Sequence, residues 1–254
     1  MSNQRYDAYI ICTSPRSGST LLCKMLTATA CAGVPESYFH TPSVADWLKE
    51  YGLRQAGYPN SVAALRAVFA QVSKQGRGAT QLFGLRVQRP SFAFLVQHMA
   101  LLFPEAKTDL ARFEAAFGRT RFVHLTRQDK LAQAVSMVRA EQTGLWHRHA
   151  DGRELERLAP ASAPIYDRLA IAQKMALLAG YDRSWLDWFE REQIDPLRIE
   201  YEDLAANPEA VLWQVMQELG CDPAAAARVV PQTAKLSDRL SAEWMARFSA
   251  DIDV

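Results

Sequence analysis

No run of apolar residues in this chain reaches the about 20 needed to cross a membrane, so no integral span is expected. Neither sign of charge is in excess. The 29 Lys+Arg against 28 Asp+Glu leave a formal net charge of +1. That excludes bulk binding to nucleic acid or an anionic membrane and requires any basic site to be local. The four cysteines, Cys12, Cys23, Cys31 and Cys221, form no Cys-x-x-Cys pair and no metal spacing. They read as small buried hydrophobes of a reducing cytoplasm. No charged and then apolar leader opens the chain, because Ser2-Asn3-Gln4-Arg5 runs straight toward a strand, so no export signal is expected. Repeats and low-complexity segments are also missing.

What is present is an ordinary globular composition, 49% hydrophobic and 22% charged over 254 residues, enough for one large α/β domain. A single domain over residues 1–254 is expected. Short apolar runs at residues 8–13, 81–87, 120–126 and 197–201 read as strands. The segments between them have helical spacing, at residues 19–30, 43–56, 61–74, 91–103, 108–117, 129–148 and 164–193, and from Pro208 to Gly220. Asp129 is the expected N-cap of one helix, and Pro164 is placed in the first turn of another. Trp185, Trp188 and Phe189 are expected in the core. Residues 149–163 read as a mobile loop. The alternation predicts an α/β fold of the P-loop type, three layers with a central parallel sheet flanked by helices.

Ser14-Pro15-Arg16-Ser17-Gly18-Ser19-Thr20 joins the first strand to the first helix. A small-residue loop at a helix N-terminus suits a phosphate group, through its backbone N–H groups and the helix dipole. It is not the ATP-binding pattern. G-x-x-x-x-G-K-[ST] needs Lys after its second Gly, whereas Ser19 follows Gly18 here and the cation comes earlier, at Arg16. A nucleotide kinase would also need an acidic magnesium ligand at a strand end, and none of these strands ends in Asp.

The strand-loop-helix pattern resembles the 5′-phosphosulfate loop of sulfotransferases that use 3′-phosphoadenosine 5′-phosphosulfate (PAPS). A second segment resembles their 3′-phosphate site, with Arg127 ending a strand and Ser136 on the helix that follows. Further motifs resemble the bacterial trehalose 2-sulfotransferase family. They are Arg127-x-Asp129-x-x-x-Gln133-Ala134-Val135-Ser136-x-x-Arg139-Ala140-x-Gln142-Thr143-x-x-Trp146, Ala32-Gly33-Val34-Pro35-Glu36-Ser37-Tyr38-Phe39, and Asp238-x-x-Ser241-x-Glu243-Trp244-x-x-Arg247-Phe248. Together they extend from about residue 8 to residue 248. The resemblance implies a PAPS-dependent sulfotransferase with no metal, a carbohydrate or glycolipid acceptor, and a homodimer.

The family places its expected catalytic carboxylate just before [YF]-F. Here Ser37 stands there and Glu36 comes one place earlier. Arg86 takes the place of a Lys on the second strand, Gln88 and Arg89 replace Met and Trp, and Leu236 replaces Gln. Glu36 and Arg16 are therefore the expected catalytic residues. Ser14, Arg16, Ser17, Gly18, Ser19, Thr20, Arg127, Ser136 and Asp238 are the expected donor-binding set. Glu36, His40, Arg86, Arg89 and Trp146 are expected on the acceptor side, with Trp146, His147 and Arg148 at a helix end. His124 alternates within a strand and reads as a satisfied core histidine. Glu36 as a solvated carboxylate and Arg127 as a structural ion pair stay open, as does a nucleotide-binding protein without turnover.

Overall fold

The computed structural model describes residues 5–148, 151–231 and 238–251. Leu236 lies outside them. Four strands, β1 (Ala8–Thr13), β2 (Phe83–Gln88), β3 (Thr120–Thr126) and β6 (Leu197–Glu200), form a parallel sheet in the order β2-β1-β3-β6. β1 is buried at every position and pairs on both sides, Ile10 with Leu85 and with Phe122. Its alternate residues feed two cores, as the two-residue period of a strand requires. Ala8, Ile10 and Cys12 face a cluster with Phe83, Phe113, Phe122, Trp185 and Trp188. Tyr9 and Ile11 face a second cluster with Leu22, Leu26, Val123 and Val215.

The helices follow in chain order: α1 (Ser19–Ala28), α2 (Val44–Glu50), α3 (Ser61–Arg77), α4 (Arg89–Leu102), α5 (Asp109–Phe117), α6 (Lys130–Thr143), α7 (Arg168–Arg191), α8 (Tyr201–Ala206), α9 (Pro208–Leu219) and α10 (Arg239–Ala250). The expected three-layer α/β fold is observed, and Trp185, Trp188 and Phe189 are core residues. A third cluster joins α6, α10 and the N-terminal half of α7, with Val138, Ile171, Leu178, Trp244 and Phe248 buried in it. No described helix is long and apolar enough to cross a membrane.

Five expectations need correction. The helix expected over 129–148 begins as read, with Ala132 N–H donating to the Asp129 cap at 2.8 Å, but it stops at Thr143. Gly144 then adopts φ +69°, and an added Cβ would lie 2.5 Å from the Ala159 carbonyl, so the chain turns there. Leu145–Arg148 is strand β4, paired antiparallel with β5, Glu154–Arg157. The expected mobile loop therefore holds a hairpin strand, although residues 149 and 150 lie outside the described residues. The helix expected from residue 164 begins at Arg168, with Asp167 and not a proline setting its start: its carboxylate accepts from Ala170 N–H at 2.9 Å. The helix expected over 43–56 stops at Glu50, and a short 3-10 turn at Gln55–Gly57 follows. His124 is buried as expected, yet its Nε2 has no hydrogen-bond partner among the described residues.

Candidate active site

Parallel strands bring all their C-terminal ends to one edge, and that is where open α/β sheets bind ligands. A cleft of about 800 Å³ opens there. Arg16, Gly18, Ser19 and Thr20 line it from the first loop, Glu36, Ser37 and His40 from the segment after α1, and Arg86 and Gln88 from β2. Arg127 and Ser136 reach it from β3 and α6, and Trp146 and His147 from β4.

The loop is shaped from beneath. Ser14 and Ser17 are fully buried and do not face the cleft with their side chains. The Ser17 and Thr13 hydroxyls meet at 2.5 Å, and Thr13 Oγ1 donates to the Leu125 carbonyl at 2.8 Å. The fully buried Gln133 donates to Ser14 Oγ at 3.1 Å and to the Pro15 carbonyl at 2.7 Å. These bonds hold Arg16 at φ +64° and Gly18 at φ +83°. Seven helices, α2, α3, α5, α6, α7, α9 and α10, have a side chain accepting from their first turn. α1 has Gly18 as its N-cap and no such side chain. The N–H groups of Ser19 and Thr20 have no side-chain cap, an arrangement suited to an anion.

Three arginines surround this loop. Arg16 Nε donates to Ser136 Oγ at 3.0 Å and its NH1 to the Trp146 carbonyl at 2.6 Å. Burial, and then neighbouring Arg127, push the Arg16 guanidinium down to about 10, which leaves it charged at neutral pH and favours a nearby anion. Arg127 lies 4.5 Å from the ring centroid of Tyr201, and its buried Nε has no partner among the described residues. Arg86 donates from Nε to Ser37 Oγ at 2.7 Å and from NH1 to Thr20 Oγ1 at 2.8 Å, and its NH2 lies 3.7 Å from Glu36 Oε2. Glu36 bridges the free edge of β2 at Leu85, where the Arg86 N–H donates to its carbonyl at 3.0 Å. Positions 36 and 37 are thus both held against Arg86. The Ser37 hydroxyl is occupied by it, while the Glu36 side chain is 48% exposed to the cleft.

Besides Ser14 and Ser17, two further residues read as part of the site, Arg89 and Asp238, do not line this cleft. The Arg89 guanidinium stands over the rings of Phe92 and Trp185, at 5.2 and 5.4 Å from their centroids. Asp238 caps α10 and takes both NH1 and NH2 of Arg139, at 2.6 and 2.8 Å. That contact holds its carboxyl down to about 2. It lines a smaller pocket of about 190 Å³ that it shares with Ser136 and Arg139.

The Stf0 sulphotransferase family model matches residues 8–251. The chain belongs to the Stf0 sulphotransferase family. A trehalose 2-sulfotransferase of Mycobacterium tuberculosis (strain ATCC 35801 / TMC 107 / Erdman) is 30% identical, covering 96% of this chain and 94% of the relative. A trehalose 2-sulfotransferase of Mycolicibacterium smegmatis (strain ATCC 700084 / mc(2)155) is 28% identical, covering 96% and 95%. A crystal structure of a sulfotransferase from Alicyclobacillus acidocaldarius has a TM-score of 0.40 at 16% identity, covering 98% of this chain and 93% of that one.

In and behind this Stf0 cleft stand residues to which the sequence assigns no role. Tyr201 follows the last strand and packs beside Gly18 and Arg127; its position at a strand end was the available signal. Gln133 ties the loop to α6. Asp182 on α7 accepts from Ser14 Oγ at 3.3 Å and pairs with Lys130 at 2.5 Å. His147 Nε2 lies 3.1 Å from Thr20 Oγ1 and 3.5 Å from Glu156 Oε2.

Proposed function

We propose that this Stf0 sulphotransferase moves a sulfuryl group from PAPS to a hydroxyl of a carbohydrate or glycolipid, with trehalose the first acceptor to test. The observation that carries the reading is the buried Arg127 Nε without a partner, in the same cleft as the uncapped start of α1. One cleft then offers two anion-binding sets. Ser19 and Thr20, with Arg86, fit the 5′-phosphosulfate, and Arg127 with Ser136 fits the 3′-phosphate. The Ser136 hydroxyl accepts from Arg16, which leaves its own hydrogen free for a phosphate oxygen.

PAPS supplies the sulfuryl group and a phosphate leaving group. The chain's part is to stabilise charge growing on the leaving oxygen, which the fixed cations Arg16 and Arg86 do without rearrangement. Its second part is to take the acceptor proton. Glu36 fills that role in this reading, because its carboxylate faces the cleft beside Arg86 while the Ser37 hydroxyl is occupied. Trp146 and Gln88 line the acceptor side, and His40 stands beside Glu36 in the same segment. The loop has no lysine for phosphoryl transfer, so the kinase alternative is dropped. A cytoplasmic homodimer belongs to the same reading, and light scattering of the purified protein tests the dimer.

The test is transfer from radiolabelled PAPS to a panel containing trehalose, a lipopolysaccharide sugar, a glycolipid and a chitin oligosaccharide. Label on a sugar supports the proposal. Tight binding of 3′-phosphoadenosine 5′-phosphate (PAP) with no transfer to any acceptor favours a nucleotide-binding protein without turnover.

A further inference from the structure

We infer that His147 is a positioning residue of the transfer site: its Nε2 accepts the Thr20 hydroxyl and so fixes the direction in which Thr20 and Arg86 face the loop. The inference rests on the cleft being the donor site. Thr20 Oγ1 lies 2.8 Å from Arg86 NH1 and 3.1 Å from His147 Nε2. A guanidinium can only donate, so the Thr20 oxygen accepts from Arg86. The hydroxyl has one hydrogen, and His147 Nε2 is placed to receive it. Nε2 must then be unprotonated, with the ring hydrogen on Nδ1.

The surroundings hold the ring neutral. Arg16 faces it from the loop, Lys24 from α1 and Arg86 from β2, and these cations act after burial to push the imidazole down to about 3. The facing anion is Glu156 on β5, paired with His147 across the hairpin and 3.5 Å from the same nitrogen. With its one ring hydrogen on Nδ1, a neutral His147 has none at Nε2 to offer it. The result is a one-way chain, Arg86 to Thr20 to His147, in which each bond polarises the next. Without the imidazole, the Thr20 hydroxyl rotates freely and Arg86 loses a fixed acceptor. The hairpin, which the sequence reading had as helix end and loop, is what brings His147 to α1.

This role differs from that of a base, because the Nε2 lone pair is occupied by Thr20. The substitutions separate the two. His147→Leu should weaken PAP binding and lower kcat roughly three- to tenfold, the span of one net hydrogen bond. His147→Gln has an amide oxygen that can accept from Thr20, so it should restore most of the loss and leave the pH profile of kcat unchanged. The double variant Thr20→Val/His147→Leu should lose no more than Thr20→Val alone. Calorimetry with PAP reads the binding part, and sulfate transfer reads kcat. If His147→Gln is as impaired as His147→Leu, the imidazole itself moves a proton and the inference is overturned. Additive losses in the double variant overturn it as well. A wild-type protein that binds PAP no better than ADP overturns the donor-site reading instead, and the inference falls with it.

Discussion

Replacing Gly18 by Ala should damage this protein in two ways that a second glycine can separate. Gly18 sits at φ +83°, and an added Cβ would lie 2.4 Å from Cδ2 of Tyr201. Gly52 has a similar φ of +66° but open space around it, with nothing within 4 Å of an added Cβ. Gly52→Ala therefore reports the left-handed backbone cost alone, about 1–2 kcal/mol. Gly18→Ala adds overpacking against a ring, about 1–3 kcal/mol more. The ring displaced is the one over which Arg127 stands at 4.5 Å, so the damage should reach the nucleotide site. Urea unfolding of both variants measures the stability difference, and calorimetry with PAP measures the second effect. Gly52→Ala should bind PAP like wild type, whereas Gly18→Ala should bind it more weakly. Equal destabilisation of the two variants, or unchanged PAP affinity in Gly18→Ala, would refute the argument that Tyr201 is packed into place by this glycine.

Other outcomes follow from the same geometry. PAP should bind more tightly than ADP by about 1.5–3 kcal/mol, one charge-assisted contact to the 3′-phosphate, and Arg127→Ala should erase the difference in a competition assay. Arg16→Ala should lower kcat more than PAP affinity, because charge on the leaving oxygen grows toward the transition state; a rise in the Michaelis constant alone would make Arg16 a docking residue. Glu36→Gln should lower kcat by ~10²–10⁴-fold with PAP affinity intact, and activity near wild type would move the base elsewhere, with His40 tested next. Stability should fall as pH drops from about 6.5 to about 4. Burial first, and then nearby cations, hold His124 down to about 4 and His147 to about 3, so the unfolded chain binds protons there that the fold does not. Urea midpoints at pH 7 and 5 measure the slope, and an unchanged slope in His124→Gln would remove His124 from the account.

The parts of the site legible in the sequence are those carried by consecutive residues. The loop at residues 14–20, the strand leading to Arg127 and the helix carrying Ser136 are each one local segment with its own pattern. Misreadings arose where a single residue changes direction. Gly144 ends α6 although the apolar residues after it continue a helical spacing, so the hairpin was hidden. Arg89 was placed beside Gln88 by sequence order, but residues alternate faces at a strand end. Arg86 and Gln88 line the cleft, while Val87 packs in the core with Phe92 and Trp185, and Arg89 follows Val87 to that side. The contacts of Gln133, Tyr201 and His147 with residues 14–20 were out of reach for a different reason: each joins segments more than 100 residues apart, and no local pattern encodes such a pairing.

The bridge between Glu36 and Leu85 has a consequence for how this enzyme could diversify. Arg16, Ser19, Thr20 and Arg127 follow the ends of β1 and β3, neighbouring strands in the interior of the sheet, where a change would disturb both cores. Glu36, Ser37 and His40 belong to a connecting segment whose backbone bridges the sheet at its free border, at β2, and whose Tyr38, Phe39, Trp47 and Leu48 pack into the core beside Ile10. In the proposed reading, exchanges at the exposed positions of this segment that keep those four core residues would reshape the acceptor side while the loop at residues 14–20 stays as it is. An engineer wishing to redirect the enzyme to a new sugar would graft that segment whole, retaining the hydrogen bond from the Arg86 N–H to the carbonyl at position 36 as the joint.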